Sequence, residues 1–176
     1  VAFDEFDYAR ALEKTEQFFW SFTNDYVELA KARAYGSQGD QEAQSAHVTL
    51  KVTLEALLRL FAPFLPFVTE EVWSWSHEDS IHSASWPIAA DLSNRLAKGI
   101  DIGTLDAASE TLSEVRRAKT EAKRSLKVRA ATVVISASSE RLRQVELVRN
   151  DLVEAGNIGA LELVEQEDAP PSVEVT

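Results

Sequence analysis

The chain has 176 residues, 45% of them hydrophobic, and a formal net charge of −11 at pH 7. This length suits one sizeable domain, or a main domain with a small appendage, and the composition is that of a globular protein. Cysteine is absent, which excludes disulfides, zinc–thiolate sites and thiol catalysis. Taken alone, the acidic charge argues against a nucleic-acid partner.

Methionine is also absent, even at position 1, so we expect the sequence to be a fragment of a longer chain. No signal peptide or membrane span is predicted, because Arg59, Pro63 and Pro66 interrupt the longest apolar run. We therefore expect a cytoplasmic protein with no membrane partner, and the lack of cysteine fits a reducing compartment.

Apolar and aromatic residues between Asp4 and Ala34 recur in alternating steps of four and three. This spacing predicts one long helix with an aromatic seam. Basic residues at Lys31 and Arg33, followed by Gly36, are typical of a helix C-terminus. Both basic residues thus have an ordinary structural explanation, and contact with a nucleic acid is the alternative.

A second helix is predicted from about Gln44, with an apolar face of leucines, and its end is expected near Phe61. Pro63 and Pro66 end it because proline lacks a backbone donor and disfavours helical conformation in the residue before it. The two helices are joined by a short polar connection, which favours an antiparallel pair.

Thr69, with Glu70 and Glu71, is predicted to begin a third helix. The two carboxylates then lie near the positive end of the helix dipole, so we interpret them as first-turn acids rather than as a catalytic pair. His77 and His82 are five residues apart, a spacing that suits neither one helix face nor a familiar zinc site. The sequence therefore predicts no metal site and no catalytic residue.

A short helix is predicted around Leu92 to Lys98, and a long fourth helix follows with Thr104 as its N-cap. The far end of the fourth helix is basic: the segment from Ser113 to Arg129 has seven basic and two acidic residues, a net charge of +5. A solvated basic helix face and a stripe that contacts phosphates are both compatible with this pattern.

The composition then changes to β-branched residues. A strand is predicted at Ala131 to Ala137, a helix after a cap at Ser138 or Ser139, and a second strand at Ala160 to Val164. Ser172 to Val175 could form a third strand, and the strand order is not readable. The predicted fold is mainly α: an antiparallel helical bundle over residues 1–128, with a small C-terminal α/β appendage over residues 129–176 whose last strand is truncated.

Three segments carry a family resemblance. They are FFWSFTNDYVELAKARAYG (Phe18 to Gly36), LLRLFAPFLPFVTEEVW (Leu57 to Trp73) and SIHSASWP (Ser80 to Pro87). In this order they closely resemble the anticodon-binding helical bundle of class I aminoacyl-tRNA synthetases, with the bacterial valyl-tRNA synthetase family as the nearest branch. The resemblance extends over roughly Phe3 to Val164 and is most specific in the first 90 residues.

The resemblance implies a parent enzyme that joins valine to its tRNA in a separate catalytic domain, which uses ATP and Mg²⁺. The histidine/glycine and lysine/serine motifs of that domain are absent from these 176 residues, so catalysis and cofactor binding are not expected here. The segment from Lys123 to Lys127 is only superficially similar to the lysine/serine motif. Implied partners are valine tRNAs and the rest of the parent chain, and we expect a monomer.

From position and charge, we expect the tRNA to contact two groups of residues. They are Lys31, Arg33 and Tyr35 at the end of the first helix, and Arg116, Lys119, Lys123 and Lys127 in the basic segment. The alternative function is an acidic helical module for protein interaction or scaffolding, which the net charge of −11 favours. A stand-alone paralogue of the synthetase domain is a third hypothesis.

Overall fold

The fold was obtained as a computed structural model, and the structure describes residues 2–93, 101, 103–166 and 172–175. Helices dominate this part of the chain, and a small three-stranded sheet lies near the C-terminus. The predicted fold class, mainly α with a small α/β appendage, is confirmed. No helix among the described residues is long and apolar enough to cross a membrane.

Contacts group the chain into two compact units. The first unit is Val1–Asn24 with Gln44–Ile100, and the second unit is Asp25–Ala43 with Asp101–Thr176. The units are interleaved in sequence, so the chain leaves the first unit, enters the second and returns. The predicted domain boundary between residues 128 and 129 stays a prediction.

The long N-terminal helix predicted from Asp4 to Ala34 is interrupted. It consists of α1 (Tyr8–Ser21), a π-helical turn (Phe22–Tyr26) and α2 (Val27–Ala34). The predicted start was wrong, because the Asp7 carboxylate accepts a hydrogen bond from the Arg10 N–H at 3.0 Å and caps the helix. The predicted end is confirmed, since Gly36 follows it with a φ of 85°.

The next helix, α3 (Asp40–Phe61), ends at the predicted residue but begins four residues before Gln44. After the proline corner comes α4 (Pro66–Ser74), which begins at Pro66 rather than at Thr69. Proline is favoured in the first turn of a helix because the N–H that it lacks would have no partner there. The Thr69 hydroxyl instead donates to the Leu65 carbonyl at 2.8 Å.

In the first unit, a small core forms where Ala62, Trp73 and Ile81 are buried together. The Glu70 carboxylate stabilises it by accepting hydrogen bonds from the Ile81 N–H at 3.0 Å and the Ser80 hydroxyl at 2.9 Å. A short 3₁₀ turn (Ile81–Ser83) and α5 (Ala89–Ser93) follow. Residues 94–98 of the predicted short helix lie outside the described residues.

The second unit contains α6 (Gly103–Glu121), β1 (Ala130–Ala137), α7 (Ser139–Leu147), α8 (Arg149–Gly156), β2 (Ile158–Glu165) and β3 (Ser172–Val175). The strand order is β2-β1-β3, with β2 parallel and β3 antiparallel to β1. The predicted cap at Ser138 is confirmed. The cap at Thr104 was wrong, since Asp101 accepts from the Gly103 N–H at 3.0 Å.

The main core of the second unit lies between the sheet and its helices. Alternation along β1 buries Val133 and Ile135, which join Leu112 and Val115 of α6 and Leu152 of α8. Leu29 of α2 also belongs to this cluster. The core therefore holds α2 and α6, which carry most of the predicted tRNA contacts, in fixed positions.

Gly159 lies where β2 passes close to the carbonyls of β1. A Cβ at this position would lie 2.5 Å from the Ala131 carbonyl oxygen and 3.0 Å from that of Ala130. Because backbone atoms cannot move aside cheaply, we expect Gly159→Ala to lower the free energy of unfolding by about 1–3 kcal/mol. Urea denaturation measures this. Glu162→Ala, an exposed control in the same strand, should change it by less than about 0.5 kcal/mol, and equal effects of the two variants would contradict the close approach.

Candidate nucleic-acid interface

All seven residues predicted to contact tRNA lie in the second unit. The helices that carry them are α2 and α6, together with the segment that follows each helix. The structure assigns the seven side chains very different surroundings, from fully exposed to buried. Their partners therefore decide which of them are available to a ligand.

Lys31 and Arg116 come from different helices and share one carboxylate. The Glu28 side chain lies 3.8 Å from the Lys31 ammonium and 3.7 Å from the Arg116 guanidinium. All three groups are partly exposed, so these are weak, solvent-screened ion pairs. A phosphate could therefore replace Glu28 as the partner of both cations at little cost.

Arg33 and Tyr35 lie at the end of α2 but differ in accessibility. The Arg33 guanidinium is half-buried, 3.1 Å from the Asp151 carboxylate of α8. The same carboxylate accepts a hydrogen bond of 2.9 Å from Gln38, so it fixes the end of α2 from both sides. Tyr35 itself is 84% exposed, and its ring is free to stack on a planar ligand.

The prediction that Lys119 contacts tRNA is corrected by its position in the interior. Its side chain is buried, and the ammonium donates to the carbonyls of Val128 at 2.8 Å, Gly156 at 2.7 Å and Asn157 at 3.4 Å. Three acceptors match the three hydrogens of an ammonium group. Burial lowers the pKa of Lys119 from its ordinary value of 10.5. This residue stabilises the fold and is not available to RNA.

Lys123 and Lys127 do lie on the surface, in a segment predicted to form the end of the fourth helix. Helix α6 ends at Glu121, and residues 122–129 form a connection to β1 that we call the basic loop. Lys123 adopts a left-handed backbone conformation with a φ of 54°, which turns the chain out of the helix. Both lysine side chains are exposed.

Sequence reasoning missed Arg124 and Arg129 as individual candidates, although it counted them in the basic segment. Both are exposed and lie in the basic loop. No residue of this loop is acidic, a signal that was present in the sequence but was averaged out over the longer segment. In contrast, Arg117 of α6 lies 3.8 Å from Glu121, so it has an acid partner.

No group of three or more metal-ligating side chains occurs among the described residues. The two histidines that were predicted to form no metal site, His77 and His82, have local partners. His77 stacks on Trp73 with ring centroids 3.7 Å apart, and His82 lies 3.9 Å from Glu70. The exposed lysines and the exposed Tyr35 ring of the second unit are chemically suited to an anionic or planar ligand.

A sequence model of the family described as "Anticodon-binding domain of tRNA ligase" matches residues 1–135. The chain belongs to this anticodon-binding family. The matched region includes α1 to α6, the basic loop and most of β1. Every residue predicted to contact tRNA thus falls within the anticodon-binding family match.

Curated relatives extend the similarity over the whole chain. The sequence is 43% identical to a valine–tRNA ligase of Salinispora tropica over 189 aligned residues, covering 100% of this chain and 22% of the relative. It is 45% identical to a valine–tRNA ligase of Thermobifida fusca, covering 99% of this chain and 19% of the relative. The chain thus spans about a fifth of the length of these relatives. This anticodon-binding domain is therefore similar in sequence to one part of each of these longer proteins.

The corrected role of Lys119 predicts a large effect on stability. Replacement by methionine keeps the aliphatic stem but leaves buried carbonyls without a donor, so we expect the free energy of unfolding to fall by about 2–4 kcal/mol. Urea denaturation measures this. Lys123→Met, at an exposed position four residues later, is the matched control and should change it by less than about 0.5 kcal/mol. A Lys119→Met variant as stable as the parent would overturn the structural role.

Proposed function

We propose that the second unit binds the anticodon arm of a valine tRNA, and that the whole protein is a valine–tRNA ligase. The observation that carries this proposal is the sequence identity of 43% and 45% to two valine–tRNA ligases over 99–100% of the chain, within an anticodon-binding family. The domain is then a recognition module. It orients the tRNA so that its acceptor end reaches a catalytic domain elsewhere in the protein.

The chemistry of the surface supports RNA as the ligand. RNA loops expose unstacked bases that pack on aromatic or guanidinium planes, while basic side chains contact phosphates. Tyr35 offers the exposed aromatic ring, and Lys31, Arg116, Lys123 and Lys127 offer the cations. Arg33 is proposed to act indirectly, because its pair with Asp151 holds the end of α2 on which Tyr35 is carried.

In the whole protein, ATP and Mg²⁺ would serve the catalytic domain, where valine is joined to the tRNA. The residues proposed here bind neither of them and contribute only to tRNA recognition. We further propose that the protein acts as a monomer in the cytoplasm, where aminoacyl-tRNA is used.

Reversing the charge of two exposed lysines tests the tRNA-binding surface. We expect Lys123→Glu/Lys127→Glu to weaken binding of a valine tRNA about tenfold or more, because it replaces phosphate attraction by repulsion. The affinity is measured by fluorescence anisotropy at several salt concentrations, and the slope of log K against log[salt] should become shallower.

The matched control is Lys14→Glu/Lys51→Glu, which makes the same charge change at exposed positions of the first unit. It should have a much smaller effect, because neither lysine is among the proposed contacts to tRNA. If the test variant and the wild type had equal affinities and equal salt slopes, Lys123 and Lys127 would not be contacts to tRNA. A wild type with no preference for valine tRNA over other tRNAs would instead favour the interaction-module hypothesis.

Glu28 gives a test in the opposite direction. The carboxylate competes with phosphate for Lys31 and Arg116, so removing its charge should strengthen RNA binding. We expect Glu28→Gln to raise the affinity for valine tRNA about two- to fivefold at low salt, the effect of one nearby unit charge. Anisotropy titration measures this.

Glu110→Gln is the control for Glu28→Gln, because it changes the net charge equally. Glu110 is exposed and lies 2.8 Å from Arg141, a residue that is not among the proposed contacts. The affinity of the Glu110→Gln variant for valine tRNA should remain close to that of the wild type. If Glu28→Gln weakened binding, Lys31 and Arg116 would be structural partners of Glu28 rather than contacts to RNA.

A further inference from the structure

We propose that the basic loop, residues 122–129, and the hollow beside it bind an unpaired RNA nucleotide, with Arg124 and Arg129 as contact residues. This inference rests on the proposed function, because it assigns tRNA phosphates and bases a second point of contact in the same unit. It adds two arginines that the expected set lacks, and it gives Lys119 and Asn157 the role of positioning residues.

Charge is the first argument. The loop has four cations, Lys123, Arg124, Lys127 and Arg129, and none of its eight residues is acidic. The total of −11 less this +4 leaves −15 on the other 168 residues. In the part of the chain that the structure describes, these four side chains take part in no recorded ion pair or side-chain hydrogen bond. Their charges are therefore available to an anionic ligand.

The shape of the loop is the second argument. The Lys119 ammonium donates to the Val128 carbonyl, and the Asn157 side-chain amide donates to the Lys127 carbonyl at 2.8 Å. Within the loop, the Val128 N–H donates to the Ser125 carbonyl at 2.9 Å. The backbone is thus held from outside and inside, so little further ordering is needed when a ligand binds.

The hollow is the third argument. A cavity of about 430 Å³ lies among the end of α6, the basic loop and the start of β1. Small apolar residues, including Ala118, Ala122 and Val128, line it, and Arg124 and Arg129 also contribute to its lining. Its volume is within the range of about 300–1,000 Å³ that is usual for small-ligand sites.

These features match the two chemical halves of a nucleotide. An unstacked base has a flat apolar face that fits small aliphatic side chains, and guanidinium groups can stack on it. The phosphate is an acceptor that fits the fork of donors on arginine. A base paired within a duplex cannot enter such a hollow, so the site should prefer single-stranded RNA.

The test uses the 176-residue chain and a fluorescent oligoadenylate of about eight nucleotides, within the usual site size of single-strand binders. We expect Arg124→Gln/Arg129→Gln to reduce its affinity about tenfold at low salt. The slope of log K against log[salt] should fall by about 1.4, because each lost phosphate contact on single strands contributes about 0.7.

Arg117→Gln/Arg143→Gln is the matched control, with the same loss of charge at two exposed arginines. Each has an acid partner: Glu121 at 3.8 Å from Arg117, and Asp101 at 3.1 Å from Arg143. The control should change the affinity less than about twofold and leave the slope nearly unchanged. Circular dichroism and urea midpoints verify that both double variants fold as the wild type does.

A third variant separates positioning from contact. Asn157 has a φ of 48°, which glycine also adopts, so Asn157→Gly removes the amide donor to Lys127 and keeps the backbone. We expect a loss of affinity of about threefold with an unchanged salt slope, because the loop loses order but no charge. A change in slope would assign Asn157 to direct contact, contrary to the positioning role.

The outcomes distinguish this inference from the proposed function. If oligoadenylate binding depends on Arg124 and Arg129 but valine tRNA is not preferred over other tRNAs, the nucleotide site stands and the valine-tRNA function fails. If valine tRNA is preferred and the arginine variant binds oligoadenylate as the wild type does, the inference is overturned alone. The inference is also overturned if polyglutamate displaces the labelled oligoadenylate as well as unlabelled oligoadenylate does. It is overturned likewise if the wild type does not bind oligoadenylate.

Discussion

The second unit depends on one buried ammonium group. Burying a lysine is unfavourable unless hydrogen-bond acceptors of the protein replace the water around its ammonium group. The Lys119 ammonium has such acceptors, because it donates to backbone carbonyls. Gly156 and Asn157 lie at the C-terminal end of α8, where helix carbonyls lack intrahelical partners and the dipole favours a cation. The third acceptor, Val128, belongs to the basic loop. One side chain thus joins α6, α8 and the loop.

Lys119 also marks the limit of sequence reasoning about the site. Lys119 follows Leu112 by seven residues and Val115 by four, which is the spacing of one helix face, whereas its charge suggests a contact to RNA. The two signals disagreed, and the structure follows the spacing. What decides between them is the set of carbonyls 9 to 38 residues further along the chain. No local pattern reveals those acceptors, so the charge was assigned to the wrong environment.

Predictions of the fold succeeded where a local chemical cause was strong. Pro63 ended α3 at Phe61, and β-branched alternation produced β1. The predicted starts of α1 and α6 were wrong: α1 follows a cap at Asp7, and α6 begins at Gly103. Many polar residues can serve as a cap, and the sequence does not show which one lies in register. The β2-β1-β3 order had no sequence signal, since it depends on pairing between segments distant in the chain, and the π-helical turn at Phe22–Tyr26 was not predicted.

The distribution of acids explains how an acidic protein can present a surface for RNA. At physiological ionic strength the field of an exposed charge falls off within about 8 Å, so a ligand responds to its immediate surroundings more than to the total of −11. In α2 and α6 every cation except the buried Lys119 has an acid partner, such as Glu28 or Glu121, whereas the basic loop contains no acidic residue. Under the proposed function, the negative charge elsewhere on the second unit would repel RNA and direct its binding towards the loop.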